Sequence, residues 1–225
     1  MAARSAPCPP AEPAPLDCSF VENEELPSDF LADIRRLARS YLGSSDPRLQ
    51  SGFRGGPARW RTEREPILDA VETDGTLLDL GCANGFLLEC LRAWGAERGL
   101  ALVPFGLDLS AELIEVARQR LPEFGSNFYV GNAWSWSPPH RFRYVYSLAD
   151  VVPLTHLGSY LSRLRREFLE PHGRLIVGSY GSLSRRVPPL NIEQLLPSYG
   201  LPLTGAATAG PGGIVRFAWA ESAAV

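Results

Sequence analysis

The chain has 225 residues, 45% of them hydrophobic, and a formal net charge of −3 at pH 7. This length and apolar content allow one substantial core and favour a single domain. All 22 basic residues are arginine, which excludes a phosphate-binding P-loop and enzymes that form a Schiff base through lysine. The charge provides no overall basic field for nucleic acid. No apolar run approaches the ~18 residues that span a bilayer.

Four cysteines, at positions 8, 18, 82 and 90, show neither CxxC pairs nor the spacing of metal sites. The start of the sequence also lacks the basic and then apolar regions of a secretory leader. We therefore expect a cytoplasmic protein with no metal site, no disulfide framework and no membrane segment.

The N-terminal third has two predicted parts. Residues 1–26 are rich in proline and glutamate and have little apolar surface to bury, so we expect a disordered tail. Residues 27–64 predict a helical cap, in which Ser28 caps an amphipathic helix and Pro57 opens a second helix that Pro66 interrupts. The apolar face of the first helix consists of Phe30, Leu31, Ile34, Leu37, Ala38 and Tyr41.

Residues 76–91 predict an apolar strand, a glycine-containing turn and a helix in direct succession. Gly81 and Gly85 bracket the turn, and glycine permits positive φ and close approach of a ligand to the backbone. Asp79 lies at the carboxyl end of the strand, where ligands of open α/β sheets bind. A dinucleotide fingerprint would require glycine at positions 83 and 86, where this chain has alanine and phenylalanine.

The rest of the chain alternates strands with helices. A second apolar strand ends at Asp108, and Ser110 is expected to begin the helix after it. Two more strand-type runs, at residues 141–149 and 174–180, flank a helix that is expected to end at the Pro-His-Gly of residues 171–173. The apolar stripe of that helix is Tyr160, Leu161, Leu164, Phe168 and Leu169.

The last two β-type runs, residues 203–209 and 213–220, are joined by Gly-Pro-Gly and predict an antiparallel hairpin. Alternating strands and helices indicate parallel βαβ units. The sequence therefore predicts an α/β fold over residues 65–221, with a doubly wound, mostly parallel sheet and a C-terminal antiparallel hairpin.

Residues 78–85, Leu-Asp-Leu-Gly-Cys-Ala-Asn-Gly, resemble motif I of the class I S-adenosylmethionine-dependent methyltransferases. The strand that ends at Asp108 and the segment around Asn132 follow in the family's order, although the family more often has aspartate at the latter position. The resemblance covers roughly residues 65–220. It implies a Rossmann-like methyltransferase fold, S-adenosylmethionine as the cofactor and methyl transfer by in-line displacement. In this fold the segment ahead of motif I commonly closes over the cofactor, so residues 27–64 are expected to act as a lid.

The resemblance also implies a cofactor site. Asp108 is expected to accept hydrogen bonds from both ribose hydroxyls, and Asn132 from the adenine amino group. Arg59 or Arg64 is a candidate to hold the carboxylate of the methionine portion. The expected cofactor-binding residues are Asp79, Gly81, Cys82, Ala83, Asn84, Gly85, Asp108, Leu109, Asn132, Ala133 and Ser147.

The loop after the fourth strand supplies the candidate catalytic residues, Asp150 and His156, which are expected to orient or deprotonate the acceptor. Its sequence does not match the Asp/Asn-Pro-Pro-aromatic motif of the amino-methylating enzymes. We therefore expect a small-molecule acceptor, with oxygen favoured over nitrogen and the atom that is methylated left open. Two alternatives stay open: a methyltransferase acting on RNA or protein, which the acidic charge disfavours, and a nucleotide-binding protein of another class, such as a reductase or a non-catalytic cofactor sensor. The oligomeric state is left open.

Overall fold

The computed structural model describes residues 25–222. Most of the predicted tail lies outside these residues. Leu26, which was assigned to that tail, is 4% exposed and belongs to a hydrophobic core, so the packed chain includes this residue. Within residues 25–222, none of the helices combines the length and the apolar content that a membrane span requires.

The described chain alternates helices and strands as the sequence predicts. The α-helices are α1 (Ser28–Leu42), α2 (Pro57–Arg64), α3 (Phe86–Glu97), α4 (Ala111–Arg120), α5 (Leu154–Arg163) and α6 (Ile192–Ser198). The strands are β1 (Gly75–Leu80), β2 (Leu102–Asp108), β3 (Phe128–Val130), β4 (Phe142–Leu148), β5 (Leu169–Tyr180), β6 (Leu203–Ala209) and β7 (Val215–Glu221). Short 3₁₀ segments lie at Leu49–Ser51, Glu65–Ala70, Pro122–Asn127 and Pro211–Gly213.

The strands form one sheet in the order β3-β2-β1-β4-β5-β7-β6. Strands β1 to β5 pair in parallel, whereas β7 is antiparallel to both β5 and β6. The predicted doubly wound sheet with a C-terminal antiparallel hairpin is confirmed. The strand order reverses between β1 and β4, and open α/β sheets bind ligands at the carboxyl ends of the strands beside such a reversal.

Each face of the sheet packs against its own hydrophobic core. On one face, Leu78 of β1 and Val145 of β4 are buried beneath α5 and α6. On the other, Leu77 and Tyr146 are buried beneath α3 and the 3₁₀ segment that follows α2. Because paired residues on neighbouring strands share a face, Asp79 of β1 points to the same side as its partner Tyr146.

Arg163, at the end of α5, fixes the loop after β3. Its side chain is 5% exposed, and its guanidinium donates to the carbonyl oxygens of Trp134 at 2.8 Å and Trp136 at 2.7 Å. Glu167 accepts from Nε at 2.9 Å and compensates the buried charge. This long-range contact holds the loop that contains Asn132 beside the carboxyl end of the sheet.

The predicted end of the helix before β5 is wrong. The helix continues from α5 into a π-helical turn at Leu164–Phe168, and β5 begins at Leu169. The Pro-His-Gly segment therefore lies inside the strand, where the pairing with β4 shifts register. His172 has a φ of 58°. A Cβ on Gly173 would lie 3.0 Å from the Arg143 carbonyl oxygen, so close strand packing explains this glycine.

The predicted cap differs from expectation in two respects. Helix α1 begins at Ser28 with Pro27 before it, and no side chain caps its first turn. No residue of α1 is buried. In contrast, α2 begins at Pro57 as predicted and places Trp60, at 3% exposure, in the core beneath α3. The second half of the cap is thus packed into the body of the domain.

Candidate functional site

The turn after β1 has the strained geometry that its glycines predict. Gly81 and Gly85 have φ values of 89° and 71°, where side chains with a Cβ are disfavoured. A Cβ on Gly81 would lie 3.3 Å from Val151 Cγ2, and one on Gly85 would lie 3.0 Å from Ala117 Cβ. Gly81 therefore faces the loop after β4, whereas Gly85 allows close packing on α4.

The turn is attached to the end of β2 by three backbone donors. The amides of Gly81 and Cys82 donate to the Leu107 carbonyl oxygen at 2.8 and 3.0 Å. The amide of Ala83 donates to Oδ2 of Asp108 at 2.9 Å. Two segments that the sequence assigned to the cofactor are therefore joined directly.

Asp108 also contacts the start of α4 through its second oxygen. Oδ1 accepts a hydrogen bond from the Ser110 amide at 2.9 Å. Ser110 itself caps α4, because its Oγ accepts from the Leu113 amide at 3.3 Å, and the helix begins one residue after the predicted start. Burial raises the pKa of Asp108, while the amides of Ser110 and Ala83 oppose this shift.

These elements form the walls of a cavity of about 210 Å³. Seven of the predicted site residues are among its walls: Gly81, Ala83, Asp108, Leu109, Asn132, Ala133 and Asp150. The sequence did not assign the rest to the site: Leu26, Phe30, Leu31, Ile34, Leu37, Ala38, Tyr41, Ser51, Leu107, Leu113, Gly131, Leu148 and Val151. Six residues of this second set form the apolar face of α1, which the helical periodicity identifies as a face without indicating what it covers.

Asn84 does not line the cavity, although the sequence assigned it to the cofactor. Its side chain is fully buried. Its Nδ2 donates to the Pro47 carbonyl oxygen and to Gln50 Oε1, both at 3.0 Å. Its Oδ1 accepts from Ser51 Oγ at 2.8 Å and from the Phe86 amide at 3.2 Å. Asn84 thus attaches the loop between α1 and α2 to the glycine turn.

Three further predicted residues have side chains outside the cavity walls. Ser147 is buried, with Oγ 3.1 Å from the Tyr160 hydroxyl. Cys82 is buried, and burial raises the pKa of its thiol. His156 lies in the first turn of α5, with Nδ1 2.9 Å from Thr155 Oγ1 and its ring edge-on to Trp134.

Asp150 follows β4 and is exposed at the cavity. Surrounding protein raises the pKa of its carboxyl by desolvation. Tyr41 of α1 lies opposite, and its pKa is raised by burial and then by the charges of Asp150 and Asp108. The cavity therefore places two carboxylates and a phenol within electrostatic reach of one another.

Asp79 is 3% exposed beneath the turn. Burial, and then the charge of Asp108, raises its pKa to about 8. Its neighbour Tyr146 has a hydroxyl 3.1 Å from that of Tyr180. Burial raises the pKa of Tyr180, Arg64 lowers it, and Asp79 adds a smaller increase, so all of these groups lie close together.

Arg64 and Arg59 have different surroundings. Arg64 is buried, with its guanidinium 4.3 Å from the Tyr180 ring centroid and one nitrogen 3.3 Å from Glu63 Oε2. Arg59 has a side chain that is 44% exposed and pairs with the other oxygen of Glu63 at 2.6 Å. Of the two candidates, Arg64 is the one beside the carboxyl ends of the strands.

A larger cavity, of about 330 Å³, lies on the side of the sheet away from the glycine turn, at the opposite ends of the strands. Its walls include Arg141, Arg165 and Ser222. Arg141 and Arg165 precede the parallel strands β4 and β5, and Ser222 follows the antiparallel strand β7, so this cavity lies at the amino ends of the parallel strands. None of the predicted site residues is among its walls, so we consider the smaller cavity at the glycine turn to be the functional one.

Part of the chain is similar in sequence to curated methyltransferases. A trans-aconitate 2-methyltransferase from Rhodopseudomonas palustris strain BisB18 is 32% identical over 141 residues, which are 62% of this chain and 48% of that protein. The protein of the same name from strain HaA2 is 32% identical over 102 residues, or 34% of its length. The chain thus spans between a third and a half of these relatives. No model of a known protein family matches it.

Solved structures share the fold at low sequence identity. The Burkholderia thailandensis 1,6-didemethyltoxoflavin-N1-methyltransferase, with bound S-adenosylhomocysteine, matches with a TM-score of 0.63 and 15% identity, over 89% of this chain and 92% of that one. The [4+2]-cyclase SpnF matches with a TM-score of 0.60 and 15% identity, over 89% and 98% of the two chains. At these sequence identities the solved structures show a shared fold, which occurs in S-adenosylmethionine-dependent methyltransferases and in a cyclase.

Proposed function

We propose that this protein transfers the methyl group of S-adenosylmethionine to a small-molecule acceptor. One observation carries the proposal: the glycine turn, Asp108 and the Asn132 loop, which are far apart in sequence, form the walls of a single cavity at the strand-order reversal. The proposal includes a cytoplasmic location, where the free thiols of Cys82 and Cys90 stay reduced.

Each part of the cofactor has a suitable partner in this arrangement. The Asp108 carboxylate retains lone pairs for two ribose hydroxyls while it accepts from two amides. Asn132 Oδ1 accepts from the Trp134 amide at 3.0 Å and has a second lone pair for an adenine amino group. Gly81 allows the backbone to approach the methionine portion, and Arg64 supplies a buried guanidinium for its carboxylate.

The bound cofactor supplies a methyl group that is already activated by its sulfonium. The protein's own contribution is then to align the acceptor and to exclude water. Asp150 is the wall residue suited to orient or deprotonate an acceptor, because it is exposed to the cavity and has a raised pKa. His156 is not a wall residue, so Asp150 ranks ahead of it.

The fold alone does not decide the reaction, because one structural neighbour is a [4+2]-cyclase. The curated relatives, which are named methyltransferases, favour methyl transfer over a reductase or a cofactor sensor. A net charge of −3 favours a small molecule over RNA as the acceptor.

Calorimetric titration with S-adenosylmethionine, S-adenosylhomocysteine and NADPH tests the cofactor. We expect micromolar or tighter binding of the first two and none of the third. Gly81→Val should abolish binding, because it strains the turn and adds a branched side chain beside Val151.

Gly99→Val is the matched control, since Gly99 has a φ of 77° and open space around its Cβ position. It imposes comparable backbone strain away from the cavity, and cofactor affinity should stay at the wild-type value. Tight NADPH binding, or wild-type affinity in Gly81→Val, would contradict the proposed cofactor.

A further inference from the structure

The cavity at the glycine turn has an apolar wall and an acidic wall. One side is the apolar face of α1, and Leu148 and Val151 extend this apolar surface across the end of β4. The charged wall residues are Asp108 and Asp150, both acidic. Among the described residues that line the cavity there is no arginine and no histidine.

Arg64, the arginine proposed to hold the cofactor carboxylate, lies outside the cavity walls and pairs with Glu63 at 3.3 Å. Two other arginines of this region also have partners. Arg48 pairs with Asp46 at 2.8 Å. Arg120 pairs with Glu89 at 3.0 Å and donates to the Asn84 carbonyl oxygen at 3.1 Å. The three arginines of α1, at positions 35, 36 and 39, are exposed and lie off the helical face that lines the cavity.

In the proposed complex the ribose occupies Asp108, so an anionic acceptor would meet the Asp150 carboxylate with no cationic side chain among the cavity walls. Charges in a cavity at the protein surface interact more strongly than in bulk water, because the surrounding protein replaces part of the screening solvent. Unpaired anions also lose their hydration on entry, which is unfavourable. In contrast, an apolar body would cover α1 residues such as Leu37, which is 46% exposed.

We propose that the methyl acceptor is a mainly apolar molecule without an anionic group, and that it presents a hydroxyl to Asp150. This inference rests on the proposed methyl transfer. The hydroxyl oxygen forms a bond to the methyl carbon as the carbon–sulfur bond breaks, and the electron pair of that bond stays on sulfur as a thioether. The hydroxyl proton passes to the Asp150 carboxylate and from there to solvent, which reaches this exposed side chain. The proposed acceptor thus differs in charge from trans-aconitate, the molecule after which the curated relatives are named.

The first arm of the test measures S-adenosylhomocysteine binding, and failure there counts against the proposed function itself. The second arm titrates the S-adenosylhomocysteine complex at pH 7 with 4-butylphenol and with 4-butylbenzoate, which share an apolar body and differ in charge. We expect the phenol to bind at least about tenfold more tightly, on the basis of charge in a poorly screened site. Equal or tighter binding of the benzoate, or no binding of either compound, would overturn the acceptor class while leaving the cofactor result intact.

Variants identify the source of the discrimination. Asp150→Asn should reduce the phenol-to-benzoate affinity ratio several-fold, because it removes one of the two wall charges. Asp69→Asn, which changes an exposed carboxylate away from the cavity, should leave the ratio unchanged. An unchanged ratio in Asp150→Asn would contradict the electrostatic argument. Transfer of labelled methyl to trans-aconitate above background would also overturn the proposal.

Discussion

The protonation of Asp79 gives a direct test of the electrostatics beneath the glycine turn. Its carboxyl is buried, and its pKa is raised from 3.8 to about 8 by burial and by the charge of Asp108. In the unfolded chain the same carboxyl ionises at about pH 4. Between these two values the folded protein retains a proton that the unfolded chain has released.

Over this interval the free energy of unfolding falls by about 1.4 kcal/mol for each pH unit through Asp79 alone. The full shift, from 3.8 to about 8, corresponds to about 6 kcal/mol. Asp79→Asn has nearly the same shape and no charge at any pH, so it removes this slope. The variant should therefore gain stability relative to the wild type as the pH rises, by about 4 kcal/mol from pH 5 to pH 8.

Urea denaturation of both proteins at each pH unit from 5 to 9 measures the difference. It should grow steadily up to about pH 8 and then level off. Asp69→Asn is the control, because Asp69 is exposed and pairs with Arg98 at 3.0 Å; its stability should follow the wild-type pH dependence. Parallel curves for the wild type and Asp79→Asn would refute the raised pKa.

Two further predictions concern the cofactor and the lid. Asp108→Ala should weaken cofactor binding about ten- to a hundredfold, because charged hydrogen bonds contribute roughly 1.5 to 3 kcal/mol; wild-type affinity, measured by calorimetry, would contradict its role at the ribose. Deletion of residues 1–44 should weaken cofactor binding and leave the sheet folded, because it removes α1, which has no buried residue, together with Leu26. Deletion of residues 1–24, in contrast, should leave affinity unchanged, as expected for a segment with little apolar surface. Equal cofactor affinity of the two truncations would rule out a lid.

The sheet and the glycine turn were predictable because their signals are local. Apolar runs ended by Asp79 and Asp108 define two strands, and the glycines between β1 and α3 are required by positive φ in the turn itself. The end of the helix that begins as α5 was not predictable in this way. Pro171 and Gly173 are usual helix-ending residues, but here they accommodate a register shift between β4 and β5 that depends on contact with another strand.

The candidate site was predictable only in part, because a motif does not show where each side chain points. In the turn, Gly81 and Ala83 face the cavity, whereas Cys82 and Asn84 point away from it. The partners of the Asn84 side chain in the loop at residues 47–51 are 33 to 37 residues away, so no local pattern indicates them. The role of α1 as a wall is likewise a tertiary property.

These long-range contacts also determine which part of the predicted lid can move: α1, and not the loop that follows it. A cavity of about 210 Å³ is smaller than the roughly 300 to 1,000 Å³ of typical small-molecule sites, so a cofactor and an acceptor together require α1 to shift outward. Helix α1 has no buried residue to lose, whereas the loop at residues 47–51 is held to the glycine turn by the buried Asn84. We therefore expect the hinge between Leu42 and Asp46. Motion there enlarges the cavity and leaves the glycine turn in place.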